Sequence, residues 1–193
     1  MIALYAFVII SFFITIVDII IRFPLQSEMI DYNDIQAIVI NVLALLIQIV
    51  SFAYGFVNAI RGMLSPKRMG AVITAFFAAT CITGTGNMVI YSNVQIVLWW
   101  IVLIIPNIVG AVATFAYFVL GKKSKIYSII IYLVAIWGMF RIIYSNYNLI
   151  VHANQYLSMN STVRLVLGIA IHCLVIYQTY VLWIKRQNAI DIS

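Results

Sequence analysis

The chain has 193 residues, of which 65% are hydrophobic and 8% are charged, and its mean hydropathy is +1.12. Soluble globular domains carry about 25% charged residues, so this composition excludes an ordinary soluble enzyme and indicates an integral membrane protein. The net charge of +6 does not point to nucleic acid, because eight of the eleven cations lie on two connections between apolar stretches and on the C-terminal tail, where membrane topology alone requires them.

Six apolar stretches follow one another along the chain, each close to the 20 residues or so that a helix needs to cross a bilayer core. They predict an all-α, polytopic membrane bundle of six transmembrane helices that forms a single domain over residues 1–193. The first stretch lacks a basic leader and a small-residue cleavage site, so we expect it to remain as helix 1. The predicted helices are Ala3–Phe23, Ile35–Ile60, Ala71–Ile90, Val94–Leu120, Ile126–Tyr144 and Val163–Trp183.

The charge of the connections alternates along the chain, and this alternation predicts the orientation of the bundle. Cytoplasmic connections of membrane proteins are enriched in lysine and arginine. We therefore predict that both termini lie in the cytoplasm (N-in/C-in) and that the protein resides in the plasma membrane. The first connection carries Glu28, Asp31 and Asp34, the second Arg61, Lys67 and Arg68, the fourth Lys122, Lys123 and Lys125, and the tail Lys185 and Arg186.

Helix 1 contains Asp18, the only acidic residue within an apolar stretch. An acid at membrane depth is costly and marks either an ion pair or a functional site. Arg22 lies four residues later on the same face, and Arg141 and Arg164 lie at the outer ends of helices 5 and 6. Asp18 is therefore expected either to pair with one of these arginines or to act as a coupling or proton-binding site.

Polar and small residues recur along one face of helix 2 and one face of helix 4, within arcs of about 100° and 80°. Such a face is either a helix-packing seam or the lining of a hydrated cavity, and both interpretations stay open. A third such face on helix 1 adds more polar groups than simple seams need. The faces consist of Asn41, Gln48, Ser51, Gly55 and Asn58 in helix 2, Asn107, Gly110, Thr114, Tyr117 and Gly121 in helix 4, and Ser11, Thr15, Asp18 and Arg22 in helix 1.

Three segments have an irregular local sequence. Residues Thr80–Asn87 of helix 3 contain two glycines and three threonines, which fits either an unwound, ligand-binding segment or a glycine-rich packing surface. In helix 4, Pro106 removes a backbone donor, and Asn107 is placed to satisfy the freed carbonyl or to bind a ligand. The connection Ser145–Thr162 is long enough for a short interfacial or re-entrant segment.

Residues typical of cofactor or metal sites are sparse. Cys81 and Cys173 lie in separate apolar stretches without a CxxC spacing, so we expect buried small side chains rather than a disulfide or a metal site. His172 lies in the middle of helix 6 but His152 lies in a connection, which disfavours a haem held by two histidines. We predict no cofactor, no metal and no catalytic residue, and a membrane enzyme is the less favoured class.

The sequence favours a small multi-pass transporter or channel for a small polar solute or ion, with a polar path between helices 1 to 4. The alternative is a non-catalytic structural or accessory subunit of a larger membrane complex of respiratory or oxidase type, which short loops and the lack of cofactor motifs would equally fit. Expected partners are the lipid bilayer and either further copies of the chain or the subunits of such a complex, with no nucleic acid. The predicted path-lining or ligand-binding residues are Asp18, Asn41, Gln48, Ser51, Asn58, Thr85, Asn107 and Thr114.

Overall fold

The structure is a computed structural model that describes residues 2–26, 32–90, 94–151 and 159–190. These residues form six helices, contain no strand, and confirm the expected all-α class. A π-helical turn, Phe115–Val119, continues α4. The helices are α1 Ile2–Gln26, α2 Tyr32–Ile60, α3 Pro66–Ile90, α4 Val94–Thr114, α5 Lys125–Val151 and α6 Met159–Ile190.

Five of the described helices are long and apolar enough to cross a membrane, and they mark the chain as a membrane protein. Within α1, the described apolar segment Tyr5–Ile14 is shorter than a membrane span requires. The five qualifying segments are Ile35–Ile60, Pro66–Ile90, Ile101–Val119, Lys125–Tyr144 and Leu165–Lys185.

The outer surface of the bundle differs from that of a water-soluble bundle. The outward faces carry large aliphatic residues such as Val50, Val112 and Leu133, each more than 60% exposed. Polar side chains such as Gln178 and Thr114 are instead fully buried between helices. This arrangement suits a hydrocarbon solvent, because polar groups lose their hydrogen-bonding partners there and must find them inside the bundle.

The helices pack in chain order around a ring. Each contacts its neighbours in sequence, α1 closes the ring against α6, and α3 also reaches α6. Connections of only a few residues require this order, since they cannot reach across a bundle. Close approaches show that α1 runs antiparallel to α2 and α6: Tyr5 near the start of α1 lies against Gly55 in the second half of α2 and accepts a hydrogen bond from Gln178 in the second half of α6.

The turn between α2 and α3 illustrates how the local sequence fixes one end of the bundle. Gly62 takes a left-handed conformation with φ of 65°, and the amides of Gly62 and Met63 bond back to the carbonyls of Ala59 and Asn58, which closes α2 with a Schellman motif. The Arg68 guanidinium then donates to Asn58 Oδ1 at 2.8 Å and to the Met63 carbonyl at 2.7 Å. We call this end, which carries the turns 61–65 and 120–124, the basic end.

The structure bears on two of the segments with an irregular local sequence. Helix α3 runs without interruption through Thr80–Asn87, and its glycines accept neighbouring isoleucines: a Cβ on Gly84 would lie 2.8 Å from Ile104 Cγ1. The structure of this segment therefore fits a glycine-rich packing surface and does not fit an unwound, ligand-binding segment. Most of Ser145–Thr162 is helical as well, since α5 continues to Val151 and α6 begins at Met159; residues 152–158, with His152, lie outside the described residues.

A cluster of aromatic rings occupies the centre of the bundle. Phe52 of α2, only 1% exposed, contacts Tyr5, Phe12 and Phe76 at ring-centroid distances of 6.0, 5.8 and 6.3 Å. From this cluster toward the basic end, the interior is filled by buried side chains that include Phe77, Phe118 and Leu174. The basic half of the bundle is therefore densely packed.

Replacement of the central ring should destabilise the bundle measurably. We expect Phe52→Ala to lower the free energy of unfolding by about 3 kcal/mol, the low end for a buried phenylalanine, because lipid is as apolar as the interior and only packing is lost. Phe13→Ala, at a position that is 57% exposed, is the matched control and should change stability by about 0.5 kcal/mol or less. Unfolding in mixed micelles measures both; equal losses would contradict the central position of Phe52.

Candidate functional site

A partly open cavity of about 250 Å³ lies inside the bundle. Every one of the six helices contributes to its wall, which makes it a feature of the whole bundle rather than of one helix pair. The lining residues are Phe12 from α1, Leu45 and Gln48 from α2, Phe76 and Thr80 from α3, Pro106 and Asn107 from α4, Val134, Trp137, Gly138, Arg141 and Ile142 from α5, and Leu167, Gly168, Ile171 and His172 from α6.

The cavity lies in the half of the bundle away from the basic end. Arg141 is about 24 Å along α5 from Lys125, at 1.5 Å per residue. Phe12 and Phe76 belong both to the cavity wall and to the aromatic cluster around Phe52. These two rings therefore separate the cavity from the densely packed basic half.

Helices α5 and α6 contribute more than half of the described residues that line the cavity. Val134, Trp137, Gly138 and Arg141 follow one another at spacings of three, one and three residues, which places them on one face of α5. Gly138 makes room for α6, because a Cβ at this position would overlap the His172 imidazole. A side chain at residue 138 would therefore push the two helices apart.

His172 is held in place by its own helix and by one ring. Its Nδ1 lies 2.7 Å from the Gly168 carbonyl, and because a carbonyl oxygen only accepts, Nδ1 is the donor. The Phe76 ring meets the imidazole edge-on, with centroids 5.5 Å apart. With Nδ1 engaged, Nε2 is the ring nitrogen that remains for another contact.

The polar side chains on the cavity wall fall into two groups. Asn107 Nδ2 donates to the Leu103 carbonyl at 2.6 Å, and the Thr80 hydroxyl donates to the Phe76 carbonyl at 3.0 Å. In contrast, neither Gln48 nor Arg141 has a hydrogen-bond or ion-pair partner among the described residues. The cavity thus contains a neutral amide and a cation whose hydrogen-bonding capacity the described protein does not use.

The structure divides the predicted path residues. Gln48 and Asn107 both line the cavity, whereas Asn41 and Thr85 are exposed away from it. The Asp18 side chain lies outside the described residues, so its pairing with Arg22, Arg141 or Arg164 stays a prediction.

Three other predicted path residues are not among the described lining residues of the cavity and bond to their own helices. Ser51 donates to the Ile47 carbonyl at 2.7 Å, Asn58 to that of Tyr54 at 2.7 Å, and Thr114 to that of Gly110 at 2.8 Å. Such bonds to a carbonyl four residues earlier are how polar side chains avoid hydrocarbon in a dry seam.

The face of α4 becomes a packing seam toward the basic end. Gly110 lets Phe77 and Val134 approach closely, and the Thr114 hydroxyl lies 3.0 Å from that of Thr74 on α3. Asn107, one turn before Gly110, is the point where the same face reaches the cavity. One polar face therefore serves both as a cavity wall and as a seam, at different depths.

Arg141 is a charged cavity residue that sequence analysis did not place in the site. It was assigned to the outer end of helix 5 as a partner for Asp18, because the apolar stretch ends three residues later. The spacing of Arg141 from Trp137 and Gly138 would have indicated that the three share a helix face, since residues three and four apart on a helix are neighbours.

The described residues contain no group of three histidine, cysteine, aspartate or glutamate side chains that could hold a metal ion. Both cysteines are free thiols. Cys81 is half-buried, with its sulfur 3.9 Å from the Ile104 carbonyl. Cys173 is exposed, so its expected burial was wrong: α6 turns this residue to the outer surface, where a small apolar side chain is equally well solvated by lipid.

No protein-family model, curated protein or solved structure matches the chain. The function must therefore be argued from the geometry of the cavity.

Proposed function

We propose that the chain is a small membrane carrier that binds a small polar solute or ion in the cavity between its six helices. In this proposal all six helices span the plasma membrane, both termini and the basic end lie in the cytoplasm, and the cavity belongs to the outer half. The orientation is supported by the concentration of lysine and arginine at the basic end.

The observation that carries the proposal is the cavity wall itself. Gln48 and Arg141 line it without a partner among the described residues, although polar groups at membrane depth normally find one. A dry seam would leave both groups unsatisfied at high cost. A site that exchanges water for a solute gives both of them a partner.

The packing of the basic half favours a carrier over a permanently open channel. Between the cavity and the basic end lie Phe52, Phe77 and Phe118, each 1% exposed or less. A solute that enters the cavity would therefore need a rearrangement of the helices to leave on the other side, as in alternating access. The same dense packing is what favours the second candidate, a structural subunit of a larger membrane complex.

Transport should depend on Gln48 but not on an equivalent amide outside the cavity. We expect purified protein in liposomes to take up at least one of labelled rubidium, chloride, glycine, glycerol or lactate in a saturable way. Gln48→Leu should lower that uptake by about tenfold, the effect expected when a polar contact to a bound solute is lost. Asn41→Leu makes a closely similar change on the same helix at an exposed position and should transport normally.

Thermal stability in detergent accompanies the uptake measurement. Retained stability of Gln48→Leu with lost uptake supports the carrier. Wild-type protein that moves none of the five solutes, and that co-purifies from its native membrane with stoichiometric partners, would replace the carrier by the structural subunit.

Labelling of single cysteines tests the orientation of the bundle. In protein whose Cys81 and Cys173 are replaced by alanine, we expect a cysteine at Gln48 to react with a membrane-impermeant thiol reagent added outside intact cells. A cysteine at Lys67 on the basic end should react only after the cells are opened, because positively charged connections stay in the cytoplasm. Labelling of residue 67 from outside would overturn the proposed topology.

A further inference from the structure

We infer that the cavity binds a small organic monoanion whose carboxylate pairs with the Arg141 guanidinium. The inference rests on the proposed carrier function, because it names the class of solute that the carrier would take.

The charge of the cavity wall points to an anion. Among the described residues that line the wall, Arg141 is the only one with a permanent charge. A guanidinium keeps its proton in proteins, so it cannot escape the cost of burial by becoming neutral. A bound anion removes that cost directly, and one cation matches one negative charge.

The geometry of the guanidinium favours a carboxylate over a spherical ion. Its planar fork of N–H donors matches two oxygens of one group and forms two parallel hydrogen bonds. Gln48, on the wall of the same cavity, adds a neutral amide that can donate to or accept from a further polar atom of the solute. Chloride would use neither feature.

The size and the walls of the cavity favour a small organic acid. At about 250 Å³ the cavity is smaller than the range of about 300–1,000 Å³ that holds drug-sized ligands. Phe12, Phe76 and Trp137 give it apolar walls, against which a hydrocarbon part of the solute can pack. An inorganic anion would leave these walls facing water.

Asp18 is the carboxylate that the sequence predicts as a possible partner for Arg141 inside the protein. Helix α1 lines the cavity through Phe12, and Asp18 follows six residues later on the same helix. If the Asp18 carboxylate already neutralises Arg141, an added anion has no unpaired cation to bind, and the inference is wrong for the native protein.

Binding is best measured through Trp137, which lies on the cavity wall. In full-length protein with Trp99, Trp100 and Trp183 replaced by phenylalanine, Trp137 is the only tryptophan that remains. Lactate is titrated into this protein in phosphatidylcholine nanodiscs, and lactamide, which has nearly the same shape without the charge, is titrated in parallel. We expect a saturable change in Trp137 emission with lactate and binding of lactamide weaker by about tenfold or more.

Variants locate the charge that is recognised. Arg141→Gln should weaken lactate binding by about tenfold or more, and Arg141→Lys should retain part of it, because lysine keeps the charge but loses the planar fork. Arg61→Gln, at an exposed position on the basic end, is the matched control and should bind like wild type. Gln48→Leu gives a second cavity variant if Arg141→Gln does not fold, and it should weaken lactate binding without loss of the preference for charge.

The outcomes separate this inference from the proposed carrier. Equal binding of lactate and lactamide, equal effects of lactate and chloride, or lactate binding that appears only in Asp18→Asn would each overturn the anion site. Saturable uptake of rubidium, glycine or glycerol would then still support the carrier. Lactate binding that requires Arg141, in protein that transports none of the five solutes, would instead support the anion site and overturn transport.

Discussion

Hydrocarbon supplies no hydrogen-bonding partner, and this constraint shapes how many of the polar side chains are placed in the bundle. Asn58, Thr114 and Thr179 meet it locally, by bonding to carbonyls four residues earlier in their own helices. Arg141 cannot use this solution, because a carbonyl does not neutralise a permanent cation, and a charged side chain within a membrane span is costly. Arg141 instead lies on the wall of a cavity to which all six helices contribute, rather than bonding to a carbonyl of its own helix.

The bundle therefore combines two kinds of interior. Toward the basic end, aromatic and aliphatic side chains around Phe52 fill the space between helices, and the glycines serve close packing, as where Gly70 faces Phe118. Away from it, Gly138 and Pro106 border a space that the described residues do not fill. Separation of a densely packed half from a half with a cavity suits a site that binds a solute on one side of the membrane, and this is the physical basis of the proposed carrier.

The sequence predicted the helices better than it predicted the site. Runs of apolar residues and short connections suffice for the former, because both act locally along the chain. Helical spacing gave the direction in which Asn41 and Gln48 point but not the depth at which neighbouring helices close around them, so only Gln48 lies at the cavity. Arg141 was missed because the spacing of residues along α5 gives the face that it shares with Trp137 and Gly138 but not the cavity that the other helices form in front of that face.

The most direct test of the account is whether the Arg141 guanidinium pairs with a bound anion rather than with protein. Crystals of the full-length protein grown from lipid and soaked in 4-bromobenzoate would locate the anion through the anomalous signal of bromine. The account predicts a bromine peak inside the cavity, with the carboxylate about 2.8 Å from the guanidinium nitrogens, and loss of the peak in Arg141→Gln. An Arg141 side chain paired with Asp18, in a cavity without the bromine peak, would contradict it.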